Sequence, residues 1–193
     1  RRARWQLALW ASLGAVAGLA GLYTSRDTLA WAFAIAPASL GIIGGVLLLF
    51  GRERTTVGEV VIALAFASAA LPVAAACEVP MRSAVMLSAS WGIVSSLHVL
   101  SVRGLLARGR TGGSPRYAAV VSGIAGSVFA VTALGVWSAA LPAVALVAIG
   151  PAVVVTCAFF VWPPPLRKIK TVGWTLMASS TATLVALLLL AGR

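Results

Sequence analysis

Two arginines, Arg52 and Arg54, stand beside Thr55, Thr56 and Gly58 in the stretch Leu47 to Glu59, which reads L-L-L-F-G-R-E-R-T-T-V-G-E. A guanidinium offers a planar fork of donors, and the free N–H groups at a helix start add the positive end of its dipole. Together they suit a phosphate or pyrophosphate. A plainer reading covers the same letters: Thr56 and Glu59 match a T-x-x-E capping box, and arginines gather in the cytoplasmic loops of membrane proteins. Further basic groups follow at Arg103, Arg108, Arg167, Lys168 and Lys170, the last three in P-P-P-L-R-K-I-K after Pro163 to Pro165. Contact with anionic lipid headgroups is their ordinary role, and a substrate phosphate is the sharper one. The candidate anion contacts are therefore Arg52, Arg54, Arg103, Arg108, Lys168 and Lys170.

The uncharged chemistry is sparse. Ser88, Ser95, His98 and either Ser101 or Arg103 fall near one helical face, and an ionisable group within a span is a functional candidate by default. His98 is the sole histidine, with no carboxylate or thiolate nearby in sequence. It reads as bonded to a neighbouring helix rather than as a metal ligand. The four acidic residues are Asp27, Glu53, Glu59 and Glu78, too few to hold a pair of Mg²⁺ ions. No carboxylate sits mid-span to couple protons, no residue set makes a complete catalytic site, and nothing names a cofactor. Cys77 and Cys157 lie in different apolar segments and read as buried free thiols.

These groups must be positioned by long apolar segments. Of 193 residues, 61% are hydrophobic and 10% charged, above the apolar share of roughly 45–50% in soluble domains. Seven runs reach the ~20 residues that a helix needs to cross hydrocarbon. They are Trp5 to Thr24, Thr28 to Phe50, Val57 to Ala76, Ser83 to Leu106, Arg116 to Trp137, Leu141 to Trp162 and Thr171 to Ala191. Apolar on all sides, they lack the alternation of barrel strands. An all-α, polytopic transmembrane bundle forming a single domain over residues 1–193 is the expected fold.

Charge alternates between the connectors. Arg1, Arg2, Arg4, Arg52, Arg54, Arg103, Arg108, Arg110, Arg116, Arg167, Lys168 and Lys170 fall on one side, which the positive-inside rule makes cytoplasmic. Arg26, Arg82 and Arg193 fall on the other, so the C-terminus faces away from the cytoplasm. The net charge of +11 thus follows membrane orientation and does not point to nucleic acid. Trp5, Trp162 and Trp174 mark one interface, Trp137 and Trp31 the other. Gly14, Gly18 and Gly21, with Gly41, Gly44 and Gly45, suggest close helix packing, while Pro37, Pro72 and Pro151 suggest kinks. The longest connector, Ala107 to Pro115, is expected as a cytoplasmic loop in which Ser114 and Pro115 serve as N-cap and N1 of the next helix. The chain starts at Arg1, and Trp5 to Tyr23 is too long and uniform for a signal-peptide core, so the sequence reads as part of a longer protein.

Three motifs, G-R-E-R-T-T-V-G-E at Gly51 to Glu59, S-V-R-G-L-L-A-R at Ser101 to Arg108 and K-I-K-T-V-G-W at Lys168 to Trp174, together resemble the YwiC-like family of bacterial membrane proteins. That family is distantly similar to the UbiA prenyltransferase superfamily. The resemblance implies an upstream Pro-Arg-Glu-His-Gly-Ala-Trp-like motif and two further spans, nine in all. It also implies a diphosphate-binding role for Arg52 and Arg54. Where UbiA-type enzymes keep a second Asp-rich motif, this chain has Arg103, Arg108 and Arg110 and no aspartate. The expectation is an inner-membrane bundle of YwiC-like type whose cytoplasmic face binds an anionic lipid or isoprenoid phosphate, with membrane lipids as partners. The alternatives are an accessory subunit packed against other membrane protein subunits, and a UbiA-type transferase whose acidic motif precedes residue 1.

Overall fold

A run of about 20 apolar residues satisfies its backbone in lipid only by closing every N–H and C=O into a helix. The computed structural model of the chain describes residues 2–25, 28–111 and 115–191, and among them helices joined by short turns make up the chain, with no strand. The elements are α1 (Arg2–Ser25), α2 (Thr28–Leu49), α3 (Thr56–Ser68), α4 (Ala70–Ala76), α5 (Met81–Thr111), α6 (Pro115–Trp137), α7 (Val144–Val161) and α8 (Ile169–Ala191), with a 3₁₀ turn over Leu166–Lys168. Taking α3 and α4 as one interrupted rod gives seven rods, an all-α helical bundle. Among the described residues five are long and apolar enough to cross a membrane: Thr28–Leu49, Thr56–Ala76, Met81–Arg108, Ala119–Trp137 and Val144–Val161.

The span from Val57 to Ala76 holds, interrupted for one residue at Ala69 because Pro72 has no N–H for the Ser68 carbonyl; Ala69 keeps helical dihedrals (φ −62°, ψ −18°) and donates to the Ala65 carbonyl at 3.1 Å. By contrast, Pro37 and Pro151 lie within helices that continue on both sides. Two expectations are corrected. The connector expected from Ala107 to Pro115 begins later, since α5 runs on through Arg108 to Thr111. Good helix formers such as Leu106, Ala107 and Arg108 explain the extension. Arg1, Arg26, Asp27, Ser114 with its capping role, and Arg193 lie outside the described residues. Finally, Cys77 is exposed at the end of α4, while Cys157 is half-buried.

Helix α5 is the axis of the bundle. It packs against α3 and α4 on one side and against α6, α7 and α8 on the other, while α7 also packs on α6 and α8. One core cluster joins Val94 and Leu97 of α5 to Ala125 of α6 and to Ala152 and Val153 of α7. A second joins Leu105 of α5, Phe159 of α7 and Val172 of α8. Alanine makes the close contacts: Ala125, Ala148 and Ala152 are fully buried. Of the glycines expected to do so, Gly44 alone meets a neighbour, with Ile62 of α3 3.7 Å from where its Cβ would lie, whereas a Cβ on Gly14, Gly18, Gly21, Gly41 or Gly45 would meet nothing within 4 Å. Small residues permit approach without dictating it, and here the alanine faces of α6 and α7 win.

Hydroxyls bind the helices laterally. Ser101 of α5 donates to Thr156 of α7 at 3.0 Å and both are fully buried. Thr183 of α8 donates to the Ala148 carbonyl at 2.7 Å, and Ser88 of α5 to the Ala67 carbonyl at 2.9 Å. Each satisfies a group that lipid cannot.

Candidate functional site

The basic loop between α2 and α3 is built by two caps. Helix α2 ends in a Schellman arrangement: Arg52 N–H donates to the Leu47 carbonyl at 2.7 Å and Gly51 N–H to that of Leu48 at 3.1 Å. This requires Gly51 in the left-handed region, and its φ is 67°. Helix α3 is then started by Thr55, not Thr56. The Thr55 hydroxyl accepts from Gly58 N–H at 3.1 Å and donates to the Arg52 carbonyl at 2.7 Å. The cap thus lies one residue earlier than predicted and the T-x-x-E box is not formed, since Gly58 stands at N3; the Glu59 side chain is left for another partner. Gly58 is buried under the loop, where an added Cβ would lie 2.6 Å from the Arg52 carbonyl oxygen.

That other partner is Arg103 on α5. Its Nε donates to Glu59 Oε2 at 2.8 Å, and its Nη2 donates to Glu59 Oε1 and to the Arg54 carbonyl. The fork-to-fork geometry ties α3, α5 and the loop together. It also spends the charge of Arg103, so the open positive charge here belongs to Arg52 and Arg54, both exposed. Tyr117 of α6 closes the other flank, donating to the Leu100 carbonyl at 3.3 Å. Gly104 lets this happen, since a Cβ there would meet ring carbons of Tyr117 and Phe160 at 2.8 Å.

Arg108, Lys168 and Lys170 are exposed and form no ion pair among the described residues. The turn carrying Lys168 packs against α5 and α8. The structure therefore joins Arg54 to Arg103 directly and ties the third basic segment in through α5.

His98 lies deeper on α5, between two hydroxyls of α8. Its Nε2 is 3.3 Å from Ser179 Oγ, and its Nδ1 is 3.3 Å from Ser180 Oγ. Ser95, half-buried, takes no part in this pair. No group of three His, Cys, Asp or Glu side chains among the described residues comes together to hold a metal ion.

Sequence reasoning missed what lies beneath the loop. A groove of about 410 Å³ runs between α2, α3, α5 and α6, lined chiefly by Leu40, Leu64, Gly92, Leu97, Leu100, Ile124 and Val128. Leu100, at its inner end, is one helical turn short of Arg103. Only the small residues facing the groove, Ala67, Ala89 and Gly92, hinted at it, and such residues are common throughout the chain. Comparison with family models, curated proteins and solved structures gives no match for this chain.

Proposed function

We propose that this chain is an inner-membrane protein of bacterial YwiC-like type that holds one anionic amphiphile, an isoprenoid phosphate or an anionic phospholipid, at its cytoplasmic face. The charged head sits at Arg52 and Arg54, with Arg108, Lys168 and Lys170 supplying the surrounding positive field. The tail occupies the groove below. One observation carries the reading: an apolar groove of about 410 Å³ reaches Leu100, one turn from Arg103, which holds the basic loop by the Arg54 carbonyl and already occupies the nearby Glu59 carboxylate of α3. The basic loops face the cytoplasm and the C-terminus the opposite side. Catalysis is not assigned to any residue.

The test is retention of farnesyl phosphate and of phosphatidylglycerol by the detergent-purified chain, followed by native mass spectrometry. Binding of either that falls about tenfold in R52A/R54A supports the reading. Unchanged binding of both overturns it, and the preferred ligand distinguishes the two sources.

A second reading, an accessory subunit of a larger membrane complex, is favoured by a separate observation. Gly14, Gly18 and Gly21 of α1, and Gly41 and Gly45 of α2, have open space where a neighbouring helix would fit. Site-directed crosslinking from Gly18 and Gly41 cysteine variants in native membranes would reveal a defined partner, and crosslinks to this chain alone would remove the reading.

A further inference from the structure

A second groove, of about 380 Å³, opens at the far end of α5 between α5, α6 and α7. Its walls include Val85, Met86, Thr132, Leu141 and Ile149, and Arg82 stands at its mouth. The two grooves share Ala89 and Ile93 and so meet midway along α5. From Arg82 to Leu100 the helix rises about 27 Å, close to the ~30 Å hydrocarbon thickness, so each groove serves one leaflet.

The mouth is shaped around the arginine. Helix α6 ends at Trp137, and Ala139 adopts φ 58°, a left-handed conformation that costs a non-glycine residue about 1 kcal/mol or more. The chain then doubles back: Leu141 N–H donates to the Gly135 carbonyl at 2.9 Å, and the Leu141 side chain fills the space over Gly135. This turn presents the Ala140 carbonyl to Arg82 Nη2 at 3.4 Å. One long hydrogen bond leaves most of the five guanidinium donors open. Arg82 makes no ion pair among the described residues, Glu78 included. Nor does it serve the helix that carries it, because a cation in the first turn opposes the dipole.

We propose that Arg82 and this groove form a second lipid site, taking an anionic phospholipid of the leaflet opposite to the Arg52–Arg54 face. The guanidinium binds the phosphate, and one acyl chain lies along Val85, Met86 and Ile149. A zwitterionic lipid gains less, since its own ammonium competes for the phosphate.

The experiment titrates the purified chain with phosphatidylglycerol, and in parallel with phosphatidylcholine, under native mass spectrometry. Arg82→Gln weakens the second phosphatidylglycerol adduct about tenfold and leaves the first in place. Arg82→Lys retains most of the binding, and Val85→Trp, which fills the groove while keeping the charge, loses it. R52A/R54A does the reverse, removing the first adduct and sparing the second, so failure at either end is separately visible. Equal binding of both lipids, or a second adduct unchanged in Arg82→Gln, overturns the proposal. Thermal melting of each variant identifies any that has lost its fold, and Val85→Trp, which leaves Arg82 in place, then decides by losing or keeping the second adduct.

Discussion

Arg103 of α5 and Glu59 of α3, 44 residues apart in the chain, face each other in a two-point ion pair that also captures the Arg54 carbonyl. The side chains are 25% and 36% exposed, so water screens the pair and its worth is modest. Arg103→Gln is expected to destabilise the bundle by about 1 kcal/mol, and Arg103→Lys by somewhat less: the ammonium keeps the charge but cannot bridge both carboxylate oxygens and the carbonyl. A double-mutant cycle with Glu59→Gln, read by chemical denaturation in detergent, should give a favourable coupling. Additive losses would mean that the two side chains are neighbours without being partners.

Gly104 and Gly123 make a matched pair for a packing test. An added methyl at Gly104 would sit 2.8 Å from Tyr117 and Phe160 ring carbons, whereas at Gly123 it meets nothing within 4 Å. Gly104→Ala should therefore cost roughly 1–3 kcal/mol as the rings are pushed aside. Gly123→Ala should be neutral or slightly stabilising, because alanine has the better helix propensity. Thermal melts of both variants in the same detergent check the contrast, and equal shifts would place α6 farther from α5 at this level.

The loop that presents Arg52 and Arg54 depends on Thr55. Thr55→Val removes the hydroxyl that bonds both Gly58 N–H and the Arg52 carbonyl, at an expected cost of about 1 kcal/mol, typical for a lost N-cap. Thr56→Val, one residue later, should cost less, since Thr56 is the first helical residue and not the cap. Hydrogen exchange of the Gly58 amide should quicken in Thr55→Val and stay slow in Thr56→Val. The opposite ranking would restore the T-x-x-E box at Thr56 and Glu59.

How far the sequence foretold these features depends on the range of the forces involved. Helix number and type were legible because lipid demands closed backbone hydrogen bonding over whole segments, a requirement written in every apolar run. Pro72 announced the one-residue interruption at Ala69 in the same way, because a missing N–H is a local signal. The register of the Thr55 cap escaped because only Thr56 stands three residues before an acid, so the T-x-x-E pattern pointed to the wrong threonine. Glu59 was absorbed into a local motif when its true partner lay on α5, and no local signal reports such pairing. The grooves were barely legible, hinted at only by small residues such as Gly92, since they are spaces between α5 and its neighbours, set by helix crossings rather than by any residue's own preference.

His98 offers a test of how polar groups are paired inside the bundle. Its ring nitrogens meet Ser179 and Ser180, both on α8, at 3.3 Å. Membrane-embedded hydrogen bonds average about 0.6 kcal/mol in coupling, so Ser179→Ala and Ser180→Ala should each give a small loss. His98→Leu alone should cost more, because it leaves two hydroxyls without their partner in an apolar setting. Combining His98→Leu with both serine substitutions removes the polar atoms on both sides and should recover part of that loss. Denaturation midpoints across this set check the order. If the triple variant were less stable than His98→Leu alone, the serines would be serving another partner and the α5 to α8 clamp would have to be abandoned.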